Sequence, residues 1–198
     1  MQTYPHPLPA DLALSRSRNW VDQMVIGLNL CPFAAPDQRA GRVRYALSDA
    51  EGMATAVADF LVELERIQQA DASDIATTLL ILNRTGEAFE TYLDLLDQCQ
   101  GALQQAGLEG VFQLASFHPR YCFAGVDADD LSNWTNRSPL PMIHLIREGQ
   151  MSRVLAHYQA VEEIPERNIE RLRTMGRAGL LQHCPVLAEY WPEAKPQL

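Results

Sequence analysis

The sequence predicts an α/β sandwich: a mixed four-stranded sheet with packed helices, and helical extensions at the N- and C-terminal ends. Three observations carry that expectation. Short apolar runs of strand length alternate with longer stretches of helical period. The first three runs are separated by enough chain for crossover helices, which implies parallel neighbours. The fourth is reached by a long loop without a helix, which frees it to run antiparallel to one of its neighbours.

A length of 198 residues fits one domain. Within it, 1–13 reads as a Pro-rich extended arm, 14–176 as the core and 177–198 as a tail. The first helix is expected to start at a Ser15 or Ser17 cap and run to about Asn29. Trp20, Val21, Met24, Val25 and Leu28 share one face, and Pro32 is the stop. Residues 33–41 read as loop. Arg42 to Leu47 alternates apolar and polar residues and reads as a half-buried strand. Ser48 then caps a long helix to about Gln69, with Glu51 completing a capping box.

Ala76 to Leu82 is an apolar run without alternation, expected to be a strand covered on both faces. A helix follows from about Glu87 to Ala106, with Gly107 as its terminating residue. Val111 to His118 reads as a third strand and Met142 to Arg147 as a fourth. Met151, Val154, Leu155 and Tyr158 fall at helical spacing. Pro165 opens a further helix that Gly176 ends.

The composition bounds the function. Sixteen Lys and Arg against 25 Asp and Glu give a net charge of −9. A surface that acidic repels phosphate backbones, so neither nucleic acid nor membrane is the expected partner. The N-terminus has no basic and apolar export pattern, and no stretch is long and apolar enough to span a bilayer. The expected setting is a cytoplasm that keeps the four cysteines reduced. No glycine-rich phosphate loop, nucleophile elbow or dinucleotide fingerprint is present, so no cofactor is expected.

The segment 119–140 is the one long connection, and its ends concentrate polar chemistry. His118, Arg120 and Tyr121 stand on one side. Asn133, Asn136, Arg137, Ser138, His144, Arg147 and Glu148 stand on the other. If the third and fourth strands are neighbours, these groups converge at one end of the sheet, a usual place for a ligand.

Cys31-Pro32-Phe33, Ser116-Phe117-His118-Pro119, Thr135-Asn136-Arg137-Ser138-Pro139, His144-Leu145-Ile146-Arg147-Glu148 and Ile164-Pro165-Glu166-Arg167-Asn168-Ile169 together resemble the bacterial family catalogued as domain of unknown function 1415. The resemblance runs from about Trp20 to about Gly176. It implies no activity, cofactor or site, and Cys122 lies outside its pattern.

Three chemistries compete at this segment. A metal could take His118, Cys122, His144 and Glu148, but His118 sits at a strand end and His144 inside a strand, where four-residue spacing does not converge. A thiol mechanism could join Cys31 to His118 and Asn136, but the apolar neighbours of Cys31 and the preceding helix terminus both oppose a thiolate. Packing as a small hydrophobe suits Cys31 better. Anion binding by Arg137 with Arg120 or Arg147 is favoured, with Ser138 as a further donor. The competing role for these arginines is to pin the loop through Asp127, Asp129, Asp130 or Glu148. The run Glu162–Arg173 reads as a solvated helix face.

Two functional expectations follow. In the first, the protein is an enzyme acting on a small anionic metabolite, with His118 or His144 as general acid or base and Asn136 orienting the substrate. In the second, it is a non-catalytic ligand-binding or protein-interaction domain that uses the same pocket, or Trp134 and its loop.

Overall fold

A computed structural model describes residues 7–149 and 161–189. The expected helix at 151–158 lies outside the described residues. Four strands form one mixed sheet: β1 (Val43–Ser48), β2 (Thr77–Leu82), β3 (Phe112–Phe117) and β4 (Met142–Arg147), in the order β1-β2-β4-β3. β1 and β2 are parallel, as their crossover helix requires. β4 runs antiparallel to both neighbours and separates β2 from β3. The third strand is therefore not beside the second: the loop-delivered strand takes the place between them.

The helices are α1 (Ala10–Trp20), α2 (Ala34–Arg39), α3 (Met53–Gln69), α4 (Phe89–Gln105) and α5 (Ile164–His183). Strand alternation sorts the core into two layers. Ala46, Leu80, Leu82, Phe112, Ile143 and Leu145 face α3 and α4. Leu79, Ile81 and Met142 face the opposite way, onto α1, Trp134 and α5, with Phe117 packed alongside.

Several element boundaries differ from expectation, each for a local reason. The first helix starts at Ala10 instead of at a serine cap. Pro9 is the residue before the helix, so positions 10–13, expected in an extended arm, are helical, and Asp11 in the first turn suits the helix dipole. Ser17 is fully buried inside this helix, its hydroxyl donating to Ala13 O at 2.8 Å. Part of 33–41 is the short helix α2. Ser48 is the last residue of β1 and its hydroxyl donates to Asp59 at 2.6 Å. Glu51 pairs with Arg84 at 2.9 Å instead of closing a capping box. The residue before α3 is Gly52 at φ 153°, a conformation open to glycine.

α1 continues into a π-helical turn, Val21–Ile26. Its termination precedes Pro32. Asn29 takes a left-handed φ of 50°, Leu30 N–H reaches back to Val25 O, and Asn29 N–H to Ile26 O. The same pattern, with Gly107 at φ 69°, ends α4 as expected. The π register has a consequence. Gly27 N–H bonds Asp22 O and Leu28 N–H bonds Met24 O, so Gln23 O is skipped. His183, the last residue of α5, fills the gap: its Nε2 donates to Gln23 O at 2.9 Å. Gly27 makes room, since a Cβ there would meet His183 Nε2 at 2.8 Å.

α5 is broken at Gly176 (φ 63°), where the sequence places an end, and then resumes to His183. Its inner face is not merely solvated. Asn168 is buried and donates to Leu30 O at 2.7 Å, and Arg171 donates to Leu28 O at 2.9 Å.

Candidate functional site

The residues expected to converge divide between the two faces of the sheet. His118 continues the Phe112, Leu114, Ser116 row, facing the α3 and α4 layer. Its ring lies 5.1 Å from both Phe89 and Tyr92. Nδ1 accepts the Arg120 N–H at 3.0 Å, so Nε2 carries the proton that Gly86 O accepts at 2.9 Å. His144 sits on the other face, with its ring 6.1 Å from Phe117. The single concavity around both histidines is not formed.

The long loop is a stitched structure. Asp130 caps a 3₁₀ turn at Leu131–Thr135 by accepting Ser132 N–H at 2.7 Å. That bond, with Arg173 at 2.9 Å, holds the Asp130 carboxyl down at about 2. Asn133 is fully buried. It accepts Phe123 N–H at 3.0 Å and donates to Asp127 O at 2.8 Å.

Arg137 is 3% exposed. Its Nε donates to Tyr121 O at 3.0 Å, its Nη2 to Ala128 O at 2.6 Å, and its guanidinium lies 5.0 Å from the Trp134 ring centre. Burial lowers its pKa from the usual value. The fork assigned to an anion is thus spent on loop carbonyls, and only Nη1 is left buried without a hydrogen bond.

The companions of Arg137 are similarly engaged. Asn136 donates to Ser116 O at 3.0 Å and its carbonyl accepts His118 N–H at 3.1 Å, so these two do meet, through backbone. Ser138 donates to Leu140 O at 2.5 Å. Arg120 is exposed and donates to Glu87 O at 2.8 Å. Arg147 reaches the end of α3, donating to Ala70 O at 2.7 Å, to Ile67 O, and to Ile75 O at 3.1 Å. These arginines do pin segments, but through carbonyls and not through the carboxylates expected. Among the described residues, no three His, Cys, Asp or Glu side chains are grouped to hold a metal ion.

A cavity of about 420 Å³ lies elsewhere, between the sheet and the π-helical turn. Trp20, Val21 and Val25 form its helical wall, and Cys31, Pro32 and Phe33 continue that wall toward α2. Val43, Leu79, Ala115 and Phe117 form the strand side, and Thr77 and His144 supply polar atoms there. Arg42, paired with Asp37 at 2.7 Å, and Arg147 also line it. An apolar concavity with few polar groups is the usual form of a small-molecule site.

His144 is the chemical centre of this cavity. The Thr77 hydroxyl has one proton, and it goes to Leu145 O at 2.6 Å. Thr77 Oγ1 must therefore accept from His144 Nε2–H, also at 2.6 Å. Desolvation pulls the His144 pKa down to about 4, so the ring is neutral near pH 7. Nδ1 then carries a lone pair and makes no hydrogen bond among the described residues.

Cys31 is half-buried in the cavity wall, with Trp20 and Phe33 as fellow lining residues. Burial pushes its thiol up, against the opposing pull of the Phe33 and Ala34 N–H groups. That matches the inert thiol expected of its apolar surroundings. Cys31, on this side of the sheet, is also on the opposite face from His118, so the two do not form a nucleophile–base pair.

Sequence reasoning missed Thr77, Ala115 and the π-helical wall. One signal was present. Ala115 is a small residue between Gln113 and Phe117 on one row of β3, and it is the register partner of His144. A small residue opposite a polar one leaves space beside it.

No curated protein matches the chain, and no solved structure matches it. The family model for proteins of unknown function DUF1415 matches residues 13–182, which span the sheet, most of α1, α2 to α4, the stitched loop and nearly all of α5. The chain therefore belongs to the DUF1415 family.

Proposed function

We propose that the protein is a small-molecule-binding domain and that the cavity beneath the π-helical turn is its site. The observation that carries this reading is the combination of an apolar cavity of about 420 Å³ with an uncommitted acceptor, His144 Nδ1. The net charge of −9 and four unpaired thiols support a cytoplasmic setting in which nucleic acid is not the partner. A ring with a pKa of about 4 is a poor acid at neutral pH, which favours binding over acid–base catalysis by His144.

The test is a thermal-shift screen of small, mainly apolar fragments on the wild type and on Ala115→Phe, which fills the cavity beside His144. Fragments that stabilise the wild type and leave Ala115→Phe unmoved support the site. Equal stabilisation of both proteins, or of neither, removes it.

A second reading keeps an anionic metabolite at the 118–148 segment, with His118, Asn136, Arg120 and Ser138 around Arg137. The buried Arg137 Nη1 without a hydrogen-bond partner favours it, because a buried guanidinium that meets only carbonyls lacks a counter-charge. Phosphorylated and carboxylated metabolites that stabilise the wild type but not Arg137→Lys would support this second site. Loss of about 3 kcal/mol in Arg137→Ala with no ligand response in either protein would make the arginine a loop clamp alone.

A further inference from the structure

Resting on the reading of the cavity as a ligand site, we infer that its ligand is an uncharged, mainly apolar molecule bearing one hydroxyl or N–H group, which donates a hydrogen bond to His144 Nδ1. The chemistry follows from the tautomer that Thr77 imposes. Leu145 O accepts the Thr77 proton, and Thr77 Oγ1 in turn accepts from His144 Nε2–H. The ring is thereby held with Nδ1 as its bare nitrogen, an acceptor with no partner among the described residues.

Among the other polar side chains at the cavity, the Trp20 indole N–H is a buried donor without a hydrogen bond, so it offers nothing to a donor group, and the rest are engaged. Thr77 Oγ1 makes the two bonds just described. Arg42 gives Nε and Nη2 to Asp37 at 2.9 and 2.7 Å. Arg147 is directed to the carbonyls that end α3. The Cys31 thiol is raised by burial and faces backbone N–H groups. A carboxylate or phosphate would oppose the His144 lone pair, and the guanidinium N–H groups described here are already given to Asp37 and to backbone carbonyls. An apolar molecule with no donor would leave Nδ1 desolvated and unpaired, which is unfavourable. A ligand with one donor satisfies both the apolar walls and the single acceptor.

The probes are 2-naphthol and 2-fluoronaphthalene, which match in shape and differ in the donor. Isothermal titration calorimetry near neutral pH reads their affinities for the wild type, His144→Phe and Thr77→Val. The expected result is about tenfold tighter binding of the naphthol by the wild type, the scale of one net hydrogen bond. That preference should vanish in His144→Phe. It should shrink in Thr77→Val, where the ring is free to carry its proton on Nδ1. Equal affinity of the two probes for the wild type overturns the donor requirement and leaves the cavity reading standing. A naphthol preference that survives in both variants shows that the donor meets another group, which also overturns it. Failure of both probes to bind the wild type removes the cavity reading, and this inference with it.

Discussion

Titration of His144 tests the site without any ligand. Its pKa in the folded protein is about 4, against an ordinary 6.5. The unfolded chain therefore holds more protons than the folded one between those values. Stability from this group is full above about 6.5 and is lost as pH falls toward 4. With these two values, moving from about pH 7 to about pH 5 removes about 2 kcal/mol. That figure is an upper bound, because the half-buried ring keeps contact with the solvent of the cavity. Urea unfolding at both pH values, on the wild type and on His144→Phe, isolates the contribution: the wild type should lose more stability on acidification than the variant, by up to that amount. An NMR titration of the ring protons should show His144 neutral down to about pH 5. Equal losses in the two proteins would refute the argument. So would a ring that titrates near 6.5, since either result means His144 is neither desolvated nor locked by Thr77.

Other perturbations probe the frame that holds the cavity. The Tyr92 hydroxyl donates to Met142 O at 2.7 Å and accepts Phe117 N–H at 3.0 Å, bridging β3 and β4 where their ladder ends. Tyr92→Phe leaves both groups buried and unpaired, and should cost about 3 kcal/mol in urea unfolding. Gly27→Ala, which in an ordinary helix stabilises, should here destabilise by about 2 kcal/mol, because its Cβ would meet Gln23 O at 2.2 Å. Differential scanning calorimetry should place that variant several degrees below the wild type.

Much of the fold was legible in the residues, and the reasons are local. β4 has the bounds its largely apolar run predicts, Met142–Arg147, because a strand between two neighbours packs apolar residues on both of its faces. Gly176 marks a break because its left-handed φ is open to glycine. The site was less legible. His118 and His144 look adjacent when only the loop between them is considered. Their separation depends on strand phase: His118 continues the Phe112 row, and His144 pairs with Ala115 of the alternate row. That register belongs to two strands at once and has no signature in either. The fate of the arginines was hidden for another reason. Arg137 and Arg147 bond to backbone carbonyls, and a carbonyl acceptor has no residue type to read. The π-helical turn is equally silent, since its extra residue changes hydrogen bonding without changing the apolar face.

The cavity wall would be expected to collapse onto the sheet unless something held it, because an apolar void forfeits contacts along its whole lining. Three bonds from α5 hold it. His183 takes Gln23 O, Arg171 takes Leu28 O and Asn168 takes Leu30 O. All three acceptors lie along the stretch from the π-helical turn to Cys31, which carries the helical wall. Each is a carbonyl that the π register or the helix end leaves exposed to outside donors. Movement of the wall away from α5 would break these bonds, and burying a carbonyl without its donor is costly. The helical wall is therefore held in place by polar bonds from α5. A ligand entering a cavity held in this way has little ordering of the protein to offset. That is the condition under which a single well-placed acceptor such as His144 Nδ1 can discriminate between otherwise similar apolar molecules.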